Sequence, residues 1–120
     1  MFEYLVGSKI LSIKGAEGGS DLVRIVTDKG TLTMIHYQNC CEYVSVDDVT
    51  GSVEDLIGKV VRVAEERESN DVPPYNNNEC EQWTLYEIRT DGGDLSIRWY
   101  GSSKGYYSVS VSCEWATNDV

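Results

Sequence analysis

The chain has 120 residues, of which 41% are hydrophobic, and it contains three Trp and eight Tyr. Because this is the size of one domain with enough apolar content for a core, we predict a single domain over residues 1–120. Twenty acidic residues against ten basic ones give a formal net charge of −10. Such a molecule repels phosphate backbones and anionic membranes, which argues against direct nucleic-acid binding.

The start of the chain, MFEYLVGSK, lacks the basic residues and the long apolar run of a secretory signal. No stretch approaches the ~20 apolar residues needed to span a bilayer. We therefore expect a soluble protein in the cytoplasm with no membrane association. In that reducing compartment the four cysteines are expected to be free thiols rather than disulfides.

Most of the chain consists of segments in which apolar and polar residues alternate with period two, as in strands that bury one face. These segments cover residues 9–14, 21–27, 31–37, 42–47, 59–66, 83–89, 95–100 and 106–114. The last three are predicted to form a meander through the turns TDGGD and GSSKG, whose glycines suit tight reversals. We predict a mostly β (α+β) fold: a single twisted antiparallel sheet or partly closed barrel of about seven strands with one short helix.

Two segments depart from the strand pattern. Ser52 can cap a short helix, because Glu54 and Asp55 suit the positive end of a helix and Gly58 can terminate it. Residues 72–81, VPPYNNNECE, contain both prolines and three consecutive asparagines. We predict an exposed loop there.

The alternation also predicts which side chains are buried. In the sixth and seventh predicted strands the apolar parity consists of Trp83, Leu85, Leu95, Ile97 and Trp99. The other parity holds Tyr86, Ile88 and Tyr100 beside polar residues, so either the helix covers that face or the sheet is buried on both sides. In the last strand we expect the odd-numbered residues from 107 to 115 to face the core.

The stretch HYQNCCEYV places the single histidine four positions before two adjacent cysteines. A zinc site usually takes spaced cysteine pairs, whereas Cys40 and Cys41 point to opposite faces of an extended strand; a site that adds Cys80 and Cys113 requires the fold to bring them together. A cysteine nucleophile needs a histidine in hydrogen-bond reach, but an extended chain holds His36 roughly 13 Å from Cys40. We favour a structural role, with one cysteine in the core and His36 hydrogen-bonded near a strand end.

Signatures of common enzyme classes are absent from the sequence. It has no HExxH, no GxSxG and no phosphate-binding glycine loop. Adjacent acids such as Glu65 and Glu66 diverge on a strand and are typical of solvated faces rather than of acid–base pairs. We predict no enzymatic activity, no cofactor and no metal.

The stretch IRWYGSSKGYYS, residues 97–108, concentrates aromatic residues around one predicted hairpin. Cross-strand pairs of such side chains contribute ~0.2–1 kcal/mol each, so they can hold the hairpin to the core. Alternatively, Tyr100 and Tyr106 expose their rings beside Arg98 and Lys104 and form a recognition patch.

Two segments, HYQNCCEYVSVDDVTGSVEDLIG and SIRWYGSSKGYYSVSV, resemble a family of small proteins of unknown function encoded by bacteriophages and their bacterial hosts. The match spans most of residues 5–112. Its motif positions are His36, Gln38, Cys40, Cys41 and Glu42, and then Arg98, Trp99, Tyr100, Gly101, Gly105, Tyr106, Tyr107 and Ser108. The resemblance implies a phage-related cytoplasmic protein and no settled activity.

The charge and the resemblance predict a small acidic binding or inhibitory protein that acts on a host protein partner. One mechanism is nucleic-acid mimicry, in which carboxylates replace phosphates in a basic groove and aromatic residues serve as anchors. The carboxylates are Asp47, Asp48, Glu65, Glu66 and Glu68, and the anchors are Trp99, Tyr100 and Tyr106. The alternative is a small-molecule module in which His36, Arg98 and the tyrosines line a pocket for a nucleotide-like anion. The candidate binding residues are His36, Gln38, Arg98, Trp99, Tyr100, Tyr106, Tyr107, Glu65 and Glu66.

Overall fold

The computed structural model of the chain describes residues 1–38, 41–69, 80–103 and 109–117. Within these ranges the chain forms eight strands and two short 3₁₀ helices. The 3₁₀ helices are Phe2–Leu5 and Val53–Asp55; the strands are β1 (Ile10–Lys14), β2 (Leu22–Thr27), β3 (Gly30–Ile35), β4 (Tyr43–Thr50), β5 (Val61–Ser69), β6 (Cys80–Thr90), β7 (Gly93–Ser103) and β8 (Ser112–Thr117).

The eight described strands form two antiparallel sheets of four strands each. The first sheet has the order β1-β2-β3-β8 and the second has the order β4-β7-β6-β5. This confirms a mostly β fold, whereas the prediction of one sheet is wrong and the described strands form no closed barrel. Alternation predicts which side of a strand is buried, but two stacked sheets and one folded sheet share that pattern.

Backbone hydrogen bonds connect the two sheets at two places. At the start of β1, Ile10 N donates to Lys59 O at 2.9 Å and Gly58 N donates to Ile10 O at 2.7 Å. In the β1–β2 loop, Ser20 O accepts from Val46 N of β4 at 2.7 Å. The bonds of Ile10 hold the start of β1 against the segment that leads to β5, and the bond of Ser20 holds the β1–β2 loop against β4.

The last strand is in the first sheet rather than in the predicted meander. β8 pairs with β3, with Leu32 opposite Trp115 and Met34 opposite Cys113. Of the predicted meander only the β6–β7 pair is present, and the strand on the other side of β6 is β5 rather than β8. Within the described part of β8, Cys113 and Trp115 pack against the core as predicted.

The core lies between the sheets, and one predicted face is reversed. In β7 the predicted residues Leu95, Ile97 and Trp99 are buried. In β6 the buried residues are Thr84, Tyr86 and Ile88, whereas Trp83 and Leu85 are only partly buried. The β6–β7 turn explains this, because Thr90 pairs with Gly93 across a two-residue loop and every later pair joins an even to an odd residue.

The helix predicted to follow Ser52 is reduced to one short turn without a side-chain cap. Val53–Asp55 is a single 3₁₀ turn, and the Ser52 side chain makes no capping hydrogen bond. The N-terminal turn was not predicted from the sequence, yet it buries Phe2 and Leu5 in the core. Neither of the described helices has the length and apolar character required to cross a membrane. Of the predicted loop 72–81, the residues up to 79 lie outside the described ranges, and 80–81 begin β6.

Candidate functional site

The outer face of the second sheet carries a row of three aromatic side chains on three neighbouring strands. Trp83 of β6 lies directly opposite Tyr100 of β7, with ring centroids 5.1 Å apart. Tyr43 of β4 follows on the other side, with its centroid 6.3 Å from that of Tyr100. Tyr43 is 56% exposed although it is a large aromatic residue. We call Tyr43, Tyr100 and Trp83 the aromatic row.

Ion pairs surround the aromatic row on the same face. Arg98, two residues before Tyr100, binds Asp47 with Nη2 at 2.6 Å and Nε at 2.9 Å from Oδ2. Asp47 is the extra residue at a register shift in β4, which brings its carboxylate to the guanidinium. Toward β5, Arg67 binds Glu65 at 3.0 Å, and this hydrogen bond raises the pKa of Arg67.

The histidine motif forms a hydrogen-bonded cluster at the end of β3. His36 Nε2 is 2.7 Å from Glu42 Oε2, and His36 Nδ1 is 2.7 Å from the carbonyl oxygen of Ser110. The side chains of His36 and Glu42 are 5% and 0% exposed. Gln38 Nε2 donates to the backbone oxygen of Glu42 at 2.6 Å. We call His36 and Glu42 the buried pair.

An open cavity of about 660 Å³ lies beside the buried pair. It is lined by residues of the β1–β2 loop, of the end of β3 and of β4, including Asp21, His36, Gln38, Glu42, Tyr43 and Ser45. Tyr43 therefore belongs both to this cavity and to the aromatic row. Inside this wall Ser45 Oγ donates to the Tyr43 hydroxyl at 2.9 Å.

The structure does not bring all the predicted binding residues to one place. Trp99 is 1% exposed, so it is a core residue and cannot act as a surface anchor. Glu65 and Glu66 lie on β5, at the opposite edge of the second sheet from β4, and Glu66 accepts a hydrogen bond from Tyr86 at 3.1 Å. Arg98 does not line the cavity beside His36. Tyr106 and Tyr107 lie outside the described residues.

The cysteines differ from the expectation of four free thiols. Cys41 is disulfide-bonded, which corrects that prediction for this residue, while Cys113 is free. The suggested pairing of His36 with Cys40 falls on a residue outside the described ranges. No group of three or more His, Cys, Asp or Glu in the described part of the chain is arranged to hold a metal ion.

Three residues of the site were not predicted, namely Tyr43, Trp83 and Asp21. The alternation in β4 could have indicated Tyr43, because Val44 and Val46 form the core-facing parity and Tyr43 lies on the other one. The two-residue β6–β7 turn could have indicated Trp83, because its register places Trp83 on the outer face. Asp21 had no signal, since its position depends on how the β1–β2 loop lies against β4.

The fold and these surfaces define an acidic, mostly β protein of two antiparallel sheets, with an aromatic row on one outer face. The family model described as a domain of unknown function (DUF7448) matches residues 3–113, and the chain belongs to this family. This agrees with the resemblance to a family of unknown function. No curated protein and no solved structure matches the chain.

Proposed function

We propose that this protein is a non-enzymatic binding protein that uses the outer face of its second sheet to bind a positively charged surface of a protein partner. The observation that carries the proposal is the aromatic row, which lies on an open sheet face between two strands that bear carboxylates. The resemblance to phage-encoded proteins supports a host protein as the partner and a phage origin for the chain.

The aromatic row has features of a binding anchor rather than of packing alone. Aromatic cross-strand pairs stabilise a sheet by ~0.2–1 kcal/mol without help from a partner. Tyr43, however, leaves more than half of its surface in solvent. Tyr and Trp concentrate binding energy at protein interfaces, because their large rings lose little conformational entropy there.

The carboxylates on both sides of the row favour a basic partner. Asp47 and Asp48 lie on β4 and Glu65 lies on β5, at the two edges of one sheet. Glu66 and Glu68 of β5 lie opposite the buried Tyr86 and Thr84, so their side chains are on the other face of the sheet. Three strand spacings separate the edges by roughly 14 Å, close to the ~12 Å width of the DNA major groove. This spacing supports the mimicry mechanism, in which the carboxylates take the place of phosphates in a basic groove.

The ion pairs on this face limit the contribution of single acids. Asp47 and Glu65 are held by Arg98 and Arg67. Within the described residues Asp48 and Glu68 have no such partner. We therefore expect Asp48, which lies on the face of the aromatic row, to contribute more to binding than Asp47 and Glu65, because those two carboxylates must first leave their arginine partners. Glu68 lies on the other face of the sheet and should contribute little.

The test measures binding of a lysine- and arginine-rich peptide and its dependence on salt. Affinity should fall by about tenfold or more between ~50 mM and ~500 mM NaCl, because screening weakens exposed charge interactions. Tyr43→Ser should cost about 1–2 kcal/mol of binding free energy. Isothermal titration calorimetry measures both effects.

The matched control is Tyr37→Ser, because Tyr37 is 57% exposed and lies beyond β3 of the other sheet. It should leave affinity unchanged within about 0.5 kcal/mol. Equal losses in the two variants, or an affinity that does not depend on salt, would contradict the proposal. Affinity capture from host lysate with mass spectrometry then identifies the partner.

The cavity supports a second candidate function, a small-molecule module. A volume of about 660 Å³ is within the usual range for ligand pockets of ~300–1,000 Å³. A nucleotide-like anion is less suited to this cavity than a cation, because Asp21 lines it and both ring nitrogens of His36 are engaged by oxygen atoms of Glu42 and Ser110. Thermal stabilisation by nucleotides, and not by basic peptides, would favour this second function.

A further inference from the structure

The cavity beside the buried pair has a wall that favours positive charge. His36 directs one ring nitrogen to Glu42 and the other to the carbonyl oxygen of Ser110. Both ring nitrogens of His36 are therefore engaged, and no Lys or Arg is among the described residues that line the cavity. Asp21, which is exposed and lines the same cavity, adds a solvent-accessible carboxylate to the described part of the wall.

The same wall offers an aromatic surface and hydroxyl groups. Tyr43 lines the cavity and its hydroxyl accepts a hydrogen bond from Ser45. A tyrosine ring attracts a cation over its face, and a guanidinium also stacks on the ring as a plane. A carboxylate receives two parallel hydrogen bonds from a guanidinium but only a point contact from an ammonium. The combination of Asp21 and Tyr43 thus suits arginine better than lysine.

We propose that this cavity is the subsite for an arginine side chain of the partner, with its guanidinium at the carboxylate of Asp21 and against the ring of Tyr43. The inference rests on the proposed function, because Tyr43 also belongs to the aromatic row and a basic partner reaches both surfaces at once. It adds a residue preference, arginine over lysine, which the aromatic row and the net charge do not supply.

The experiment compares a short glycine-arginine repeat peptide with the same peptide carrying lysine. The wild-type protein should bind the arginine peptide about tenfold more tightly, the effect of one charge-assisted bidentate contact. Asp21→Asn should remove this preference by weakening the arginine peptide alone. Asp94→Asn is the control, since it removes one exposed acid without altering the cavity lining. NMR chemical shifts should locate the arginine peptide at Tyr43 and Ser45.

The outcomes separate this inference from the proposed function. If neither peptide binds the wild-type protein, the proposed function fails. If both bind equally well, or if Asp21→Asn and Asp94→Asn weaken both peptides alike, binding depends only on overall charge and the arginine subsite is overturned. Retained preference in Asp21→Asn, with shifts outside the cavity, would also overturn it. Because Asp21 is exposed, its amide variant is expected to fold, and circular dichroism checks this.

Discussion

At the scale of single residues, the buried pair joins the end of β3 to the start of β4 and connects both to a segment 74 residues further along the chain. His36 follows β3, Glu42 precedes β4, and Ser110 precedes β8. Oxygen atoms of Glu42 and Ser110 face the two ring nitrogens, so the imidazole ring is held on both sides. A carboxylate that is fully buried has no water to replace its partner.

We expect His36→Ala to lower the free energy of unfolding by about 3–5 kcal/mol, because it removes the His36 ring from the buried carboxylate of Glu42. The double variant His36→Ala/Glu42→Ala should cost less than the sum of the single changes. Urea unfolding followed by tryptophan fluorescence measures all three variants.

The control for this prediction is Arg62→Ala. Arg62 pairs with Asp91 at 2.6 Å, but both side chains are more than 60% exposed, at 62% and 68%. That pair should contribute ~0–1 kcal/mol. A loss in His36→Ala no larger than in Arg62→Ala would show that the pair contributes little to stability.

A second residue-scale feature is the contact between Tyr86 and Cys113. Burial raises the pKa of Tyr86, and it raises the pKa of the Cys113 thiol from its ordinary 9.0 to about 11. The folded state therefore holds both protons more tightly than the unfolded chain does. This contribution to stability is complete below the ordinary pKa of the thiol and is lost as pH rises to the folded value.

We predict that the free energy of unfolding falls as pH rises from about 9 to about 11. Cys113→Ala should make this fall shallower, whereas Ser112→Ala, on the neighbouring residue of β8, should leave it unchanged. Chemical unfolding at a series of alkaline pH values gives the slopes. Identical slopes in Cys113→Ala and the wild-type protein would contradict a titration of this thiol.

The sequence could predict part of the site at this scale. His36 was predicted to be hydrogen-bonded near a strand end, and the structure confirms it. Its carbonyl partner Ser110 lies 74 residues away, and no spacing rule reaches that distance. Trp99 was predicted as an anchor from its motif, although the alternation already placed it among the core residues of β7.

At the scale of elements, β7 makes a close contact with the segment that leads to β8. A Cβ atom built on Gly101 would lie 2.6 Å from Val109 Cβ and 3.0 Å from Val109 O. A glycine within a strand often marks such an approach of another backbone. This contact lies where the chain passes from the second sheet to the first.

We expect Gly101→Ala to lower the free energy of unfolding by about 1–3 kcal/mol, because the added methyl group must displace Val109. Ser102→Ala, whose side chain is on the opposite face of β7, should stay within about 0.5 kcal/mol of the wild-type protein. Thermal unfolding compares the two variants. A neutral Gly101→Ala would mean that residues 109–111 can move away from β7 at no cost.

The element-scale predictions show how turns and alternation combine. The period-two alternation predicts most of the strand positions, and most of the predicted strand ends differ from the observed ones by a few residues. The reversed face of β6 was an error that the two-residue turn at Asp91 and Gly92 could have corrected, since such a turn fixes the register of the whole hairpin. The place of β8 beside β3 depends on packing between sheets, and no local pattern encodes it.

At the scale of the whole molecule, the net charge opposes stability and the exposed ion pairs offset it only in part. The net charge of −10 creates repulsion that favours expansion. The described Arg–carboxylate pairs are mostly exposed, so each contributes little to the free energy of unfolding.

The mostly β class could be predicted from the sequence, but the division into two sheets could not, because it depends on which strand edges meet.

Because repulsion among excess carboxylates exceeds the attraction of a few exposed ion pairs, added salt should stabilise the folded protein. We predict that Tm rises by roughly 2–5 °C between ~10 mM and ~300 mM NaCl. The double variant Asp48→Asn/Glu68→Gln removes two carboxylates that have no ion-pair partner among the described residues, and it should show a smaller rise. Differential scanning calorimetry measures the transitions. A Tm that falls with salt would mean that the attraction within ion pairs exceeds the repulsion caused by the net charge. The carboxylates of the acidic face would then be neutralised by basic residues of the same chain, and this face would not favour a basic partner.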